Sequence, residues 1–74
     1  MTTPAALHPD ARLVREVDAA SAAPLGLTYD EADAVAIEAS YLEDDHGGPF
    51  AWWVAYVLDD VRRGYRDRRG RRVL

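Results

Sequence analysis

A small all-α domain of three helices is the fold class that this 74-residue sequence predicts. Apolar residues recur at helical spacing in three segments, turns rich in glycine and proline separate these segments, and a capping-box pattern opens the second one. A chain of this length builds one core, so residues 1–74 are expected to form a single domain. We expect a helical hairpin of helices 2 and 3, an added N-terminal helix, and a flexible basic tail over residues 68–74.

The first predicted helix spans residues 9–22. Its apolar stripe is narrow: Leu13, Val17 and Ala20 recur at helical spacing, and Val14 lies on the flank. A turn containing proline and glycine follows.

The second predicted helix spans residues 28–45 and has the clearest start. Thr28 and Glu31 form the T-x-x-E capping box, in which each side chain accepts a hydrogen bond from the other residue's backbone N–H. The face expected to turn toward the core consists of Ala32, Val35, Ala36, Ala39 and Leu42. The sequence His-Gly-Gly-Pro then ends this helix and opens the next.

The third predicted helix spans residues 49–67 and includes the run FAWWVAYVLDD. The residues on its expected core face are Phe50, Val54, Val57, Val61 and Tyr65, with Leu58 beside them. Gly64 is expected to weaken the helix by roughly 1 kcal/mol relative to alanine.

A helical wheel separates the two neighbouring tryptophans of this helix. Trp53 falls at the margin of the core face, whereas Trp52 and Tyr56 fall on the polar side. Either helix 1 or the N-terminal arm covers Trp52, or Trp52 and Tyr56 anchor a protein interface, most simply that of a homodimer.

A second apolar pair, Ile37 and Tyr41, lies one turn apart on helix 2, away from its core face, with carboxylates around it. This pattern predicts either a docking patch for a basic partner or a helix that is buried on two sides in a dimer. Together with Trp52 and Tyr56, these residues are the candidate protein-interface residues.

Charge is divided unevenly along the chain. Residues 1–60 contain twelve acids and two arginines, whereas residues 61–74 contain seven arginines and one acid. These seven are candidates for contact with an anion or a nucleic acid: Arg62, Arg63, Arg66, Arg68, Arg69, Arg71 and Arg72. The alternatives are a solvated tail, or arginines that pair with the acidic face of the same chain or of a neighbouring copy. Asp59 and Asp60 are expected to pair with arginines on the helix surface.

Few classes of chemistry fit this composition. Cysteine is absent and the two histidines are far apart, so no metal site, cofactor or catalytic residue is predicted, and we expect the chain not to be an enzyme. Neither a signal peptide nor a membrane span is apparent, which predicts a cytoplasmic protein. All nine basic residues are arginine, a usage typical of a G+C-rich bacterial or phage genome.

The sequence therefore predicts a non-enzymatic protein-interaction or regulatory module that associates with itself, as a dimer in the first instance, or docks on a larger protein. The alternative is a nucleic-acid-binding accessory protein that uses the Arg62–Arg72 segment.

Overall fold

Three helices pack around one apolar core in the computed structural model, which describes residues 9–21 and 23–74. They are α1 (Pro9–Ala20), α2 (Tyr29–His46) and α3 (Phe50–Arg62), and each contacts the other two. The predicted all-α, three-helix fold is confirmed. Helix 1 ends at Ala20, before the predicted end at residue 22, and the N-terminal arm lies outside the described residues. None of the described helices combines the length and the apolar character that crossing a membrane requires.

The start of α2 follows the predicted capping box. The Glu31 backbone N–H donates to Thr28 Oγ1 at 3.2 Å, and the Thr28 backbone N–H donates to Glu31 Oε1 at 2.9 Å. At the other end, Gly47 has a φ of 77° and its N–H donates to the Glu43 carbonyl oxygen at 2.7 Å. Glycine suits this position because a side chain is strained at positive φ.

The core is built mostly from valine and alanine. Leu58 is its largest fully buried side chain, and partly buried aromatic residues such as Phe50 and Trp53 pack at its margin. The buried apolar residues are Ala11, Val14, Leu27, Ala32, Val35, Ala36, Ala39, Val54, Val57, Leu58 and Val61.

The buried face of α1 differs from the predicted stripe. Val14 is fully buried instead of lying on the flank, whereas Ala20 is exposed. Asp18, one turn beyond Val14, is also buried, at 6% exposure. A carboxylate on the core side interrupts the apolar pattern, which is why apolar spacing alone misplaces this face.

The third helix ends at Arg62 and not at residue 67. Gly64 has a φ of 83°, its N–H donates to the Val61 carbonyl oxygen at 3.1 Å, and the Tyr65 N–H donates to the Asp60 carbonyl oxygen at 2.9 Å. This pair of bonds is a Schellman motif, in which a left-handed glycine terminates the helix. Tyr65 therefore leaves the predicted core face and is 43% exposed.

Residues 63–74, here called the C-terminal segment, fold back on the helices instead of forming a flexible tail. Arg66 and Arg72 form an isolated antiparallel bridge, and the Val73 N–H donates to the Tyr65 carbonyl oxygen at 3.0 Å. Gly70 is buried at the turn, where an added Cβ would lie 3.2 Å from Val57 Cγ1. The segment thus packs against both α2 and α3.

Candidate protein-interaction site

An aromatic ridge on α3 consists of Trp52, Trp53 and Tyr56. The rings of Trp52 and Tyr56 stack, with centroids 5.8 Å apart and an angle of 11° between the planes. Trp53 meets both rings edge-on, at 4.8 Å from Trp52 and 5.4 Å from Tyr56. Trp52 remains 57% exposed and Tyr56 40% exposed, so the ridge presents two large side chains to solvent.

Trp53 fixes the ridge to the turn between α2 and α3. Its indole Nε1–H donates to the Gly47 carbonyl oxygen at 2.6 Å, and its ring lies 5.4 Å from the ring of His46. The glycines of this turn bring the chain close to the indole, since a Cβ on Gly48 would lie 3.5 Å from Trp53 Nε1. Trp53 is therefore partly buried at the margin of the core, and it supports the two exposed rings.

Ile37 and Tyr41 form a separate surface on α2, here called the α2 patch. Ile37 is 47% exposed and Tyr41 60% exposed. Among the described residues, no aromatic contact links Tyr41 to the ridge. The four candidate interface residues thus belong to two surfaces on different helices.

Arg66 is the buried arginine of the described residues, at 6% exposure. Its Nε–H donates to Asp60 Oδ2 of α3 at 3.0 Å, and its Nη1–H donates to the Gly70 carbonyl oxygen at 2.7 Å and to Glu38 Oε1 of α2 at 3.4 Å. Asp60 is itself buried and not a surface partner as expected. Arg66 therefore joins two helices to the C-terminal segment and is not available to an external phosphate.

Arg62 joins α3 to the end of α1. Its Nε–H donates to the Ala23 carbonyl oxygen at 2.9 Å, and its Nη2 lies 3.4 Å from Asp18 Oδ1 and within hydrogen-bond distance of Ser21 Oγ. The side chain is 22% exposed, so this contact is mostly shielded from water.

Arg68 joins the C-terminal segment to the start of α2. Its Nε–H and Nη2–H both donate to the Glu31 carboxylate at 3.0 Å, and its remaining donors reach the carbonyl oxygens of Leu25 at 3.1 Å and Gly26 at 3.0 Å. The hydrogen bonds from Arg68, followed by that from the Thr28 backbone, lower the pKa of Glu31 to about 2. The capping-box glutamate thus also holds the C-terminal segment.

Two exposed ion pairs involve residues four apart in sequence: Arg63 with Asp59 at 3.0 Å, and Arg71 with Asp67 at 3.2 Å. Hydrogen bonds from the backbone of Arg71 and then Arg69 lower the pKa of Asp67, together with the charge of Arg71. Such exposed pairs contribute little to stability.

Arg69 and Arg72 are the exposed arginines of the C-terminal segment that have no ion pair among the described residues. Arg69 and Arg71 line an open groove of about 210 Å³ beside α2, together with Ala34, Ile37 and Glu38. The basic surface that remains is thus small and adjoins the α2 patch.

Asp18, the carboxylate that receives Arg62, was not singled out by the sequence patterns. Asp18 accepts hydrogen bonds from the backbone N–H groups of Leu25 at 2.7 Å and Gly26 at 3.0 Å as well as from Arg62. An aspartate one turn after a buried valine, followed by a loop with free N–H groups, is the only sequence signal for this role.

Within residues 9–21 and 23–74, no group of three or more potential ligands is placed to hold a metal ion. Comparisons with protein-family models, with curated proteins and with solved structures find no match.

Proposed function

We propose that this chain is a non-enzymatic protein-interaction or regulatory module that docks on a partner protein through the aromatic ridge. The observation that carries the proposal is the exposed stack of Trp52 on Tyr56. Tryptophan and tyrosine are among the residues that contribute most to binding when an interface buries them.

The support beneath the ridge strengthens this proposal. Trp53 contacts both exposed rings and is held by its hydrogen bond to Gly47, so the rings already share one arrangement before binding. Ordering side chains in advance lowers the entropic cost of association. A partner with an apolar groove wide enough for two stacked rings fits this surface. The proposal requires no cofactor or metal, and we propose the cytoplasm as the location of the protein.

The test compares Trp52→Ala with the matched variant Tyr65→Ala. Tyr65 is about as exposed to solvent as Tyr56 is, but it lies outside the ridge. Both variants and the original chain serve as baits, and proteins lost only with Trp52→Ala are purified and titrated against all three. We expect Trp52→Ala to weaken binding at least tenfold, a loss of about 1.4 kcal/mol, and Tyr65→Ala to change it little. Equal binding by Trp52→Ala and the original chain to every partner recovered would contradict the proposal.

Nucleic-acid binding through the Arg62–Arg72 segment is the second candidate. Its support is the exposed arginine pair Arg69 and Arg72, whereas Arg62, Arg66 and Arg68 make internal contacts. If this candidate is right, the full chain binds single- or double-stranded nucleic acid at about 50 mM salt, binding falls steeply as salt rises, and Arg69→Glu/Arg72→Glu abolishes it. No binding at low salt excludes it. Removing residues 66–74 is an unsuitable test, because it also removes Arg66 from the fold.

A further inference from the structure

Three carboxylates of the helices form an acidic cradle that holds the C-terminal segment. Asp60 of α3 and Glu38 of α2 bind the guanidinium of Arg66, which is buried between them. Glu31, at the start of α2, binds the guanidinium of Arg68. The acidic cradle thus accepts two arginines that are two residues apart in an extended segment.

A glycine two residues further on completes the sequence that fits the acidic cradle. At Gly70 the backbone lies against α2, since an added Cβ would be 3.3 Å from Glu38 Cγ and 3.4 Å from Val35 Cα. The Gly70 carbonyl oxygen also accepts the Arg66 Nη1–H at 2.7 Å. The sequence that fits is therefore Arg-x-Arg-x-Gly, which this chain contains at residues 66–70.

The C-terminal segment places no apolar side chain in the core. Its apolar residues, Tyr65, Val73 and Leu74, are all exposed. The segment is held instead by its arginines and by the close approach of its backbone at Gly70. Exchange of such an element between identical copies is a low-cost route to a dimer, because each contact that the element makes can be made again on the other copy.

The turn at Gly64 can act as a hinge for this exchange. In the closed arrangement, Gly64 has a left-handed conformation and reverses the chain after α3. The apolar spacing of Val57, Val61 and Tyr65 instead favours a helix that continues past this glycine. Glycine populates positive and negative φ about equally, so Gly64 is compatible with either arrangement. A continued α3 directs the C-terminal segment away from its own acidic cradle.

We propose that two copies of this chain exchange their C-terminal segments, so that the acidic cradle of each copy binds Arg66 and Arg68 of the other. Residues 65–74 move as one unit, because the bridge between Arg66 and Arg72 lies within it. A second copy is the occupant because its segment has, by identity, the sequence that the acidic cradle already binds. The aromatic ridge takes no part in this exchange, so the inference does not depend on the proposed docking function.

The closed monomer and the exchanged dimer have the same contacts outside the hinge, so protein concentration determines which of them forms. A short connection keeps each segment near its own acidic cradle at an effective concentration in the millimolar range. We therefore expect the original chain to be a monomer at micromolar concentration and to dimerise at about 1 mM.

Sedimentation velocity of Gly64→Ala tests the hinge. Alanine disfavours the left-handed turn and favours a continued helix, so this variant should dimerise at least tenfold more tightly than the original chain. Gly47→Ala is the matched control: Gly47 also has a positive φ at a helix end with open space around it, but it precedes α3. A monomeric Gly64→Ala at about 1 mM overturns the inference, and so does equal dimerisation of the two variants.

A charge-reversal pair tests whether the arginines come from the other copy. Glu31→Arg and Arg68→Glu each place like charges between a segment and its own acidic cradle. In an equal mixture, exchange joins opposite charges at both cradles, so a heterodimer should form at concentrations where neither variant associates alone. Circular dichroism establishes that both variants are folded. A mixture of folded variants that does not associate overturns the inference.

The control mixture for this experiment is Asp59→Arg with Arg63→Glu. These residues form an exposed ion pair within one helix end and take no part in the acidic cradle. Their mixture should remain monomeric at the same concentrations. If it associates as tightly as the Glu31→Arg and Arg68→Glu mixture, general charge attraction accounts for the association and the inference is overturned.

Discussion

At the scale of single residues, buried polar groups differ in how completely they are paired. The carboxylate of Asp18 accepts hydrogen bonds from two backbone N–H groups of the loop after α1 and from Arg62 of α3. The hydroxyl of Tyr29, in contrast, is buried and has no hydrogen-bond partner within the part of the chain that the structure describes. These two residues should respond in opposite ways to substitution.

Asp18→Ala should lower the free energy of unfolding by about 3 kcal/mol, because it leaves two loop N–H groups and a shielded guanidinium without their acceptor. Urea denaturation measures this change. Asp59→Ala, which removes an exposed pair with Arg63, is the control and should cost no more than about 0.5 kcal/mol. Similar losses in the two variants would show that Asp18 does not organise the loop.

Tyr29→Phe should leave stability unchanged or raise it by up to about 1 kcal/mol, because it removes a hydroxyl that is desolvated without compensation. The ring itself is retained, together with its contact with the Arg15 guanidinium, which lies 5.8 Å from the ring centroid. A loss above 1 kcal/mol in thermal denaturation would indicate that the hydroxyl has a partner in solution.

At the scale of elements, the C-terminal segment packs against α2 and α3, although it has no regular secondary structure beyond one isolated bridge. The segment comes close to both helices at Gly70. A Cβ added to this glycine would lie 3.2 Å from Val57 Cγ1 of α3 and 3.4 Å from Val35 Cα of α2. Arg66 and Arg68 then tie the segment to carboxylates of all the elements it touches.

Gly70→Ala should cost about 3 kcal/mol, because alanine is strained at a φ of 83° and its Cβ also meets tightly packed atoms. Gly64→Ala is the matched control: its φ is also 83°, but the space around an added Cβ is open, so about 1 kcal/mol is expected. Urea denaturation measures the stability loss of both variants. In Gly70→Ala, faster amide exchange over residues 66–74 should accompany the loss. Equal costs would mean that the segment does not pack closely.

Some features of the helices could be predicted from sequence patterns alone, and others could not. Helix number, the capping box at Thr28 and the position of Trp52 on the polar side of α3 follow from local spacing and capping, which the sequence encodes within a few residues. The end of α3 just before Gly64 could have been inferred, because a glycine follows a basic last turn. The apolar spacing of Val61 and Tyr65 instead favoured a helix that continues past this glycine. Asp60 was expected to pair with an arginine, although on the surface. The additional contact of Arg66 with Glu38 depends on how α2 and α3 pack, which local spacing does not specify.

At the scale of the whole molecule, the uneven division of charge along the sequence becomes an intermixed arrangement in space. Arg62, Arg66 and Arg68 each contact an acid from a distant part of the chain. The basic segment thus neutralises part of the acidic body, and only a small basic surface remains beside α2.

This arrangement predicts how stability depends on pH. The pKa of Glu31 falls from 4.5 to about 2 on folding, so its contribution is fully present above pH 4.5 and is lost as the pH falls toward 2. Glu31→Gln keeps a capping box but not the charge. Its stability difference from the original chain, measured by urea denaturation, should be largest near neutral pH and shrink through this acid range. A difference that does not change with pH would contradict the lowered pKa.

The matched variant is Asp30→Asn, which removes another acid from the first turn of α2, one that has no arginine partner among the described residues. Its stability curve should run nearly parallel to that of the original chain over the same pH range. If the stabilities of Asp30→Asn and the original chain instead became equal at low pH, the acid sensitivity would belong to the helix N-terminus in general and not to the Glu31–Arg68 pair.

The aromatic ridge also gives the protein an intrinsic fluorescence signal at the proposed binding surface. Both tryptophans of the chain lie in it, one exposed to water and one in contact with the imidazole ring of His46. All tryptophan emission therefore originates within a few ångströms of the surface proposed to bind a partner. Covering Trp52 should shift the emission to shorter wavelength, so occupancy of the ridge can be followed without attaching a dye.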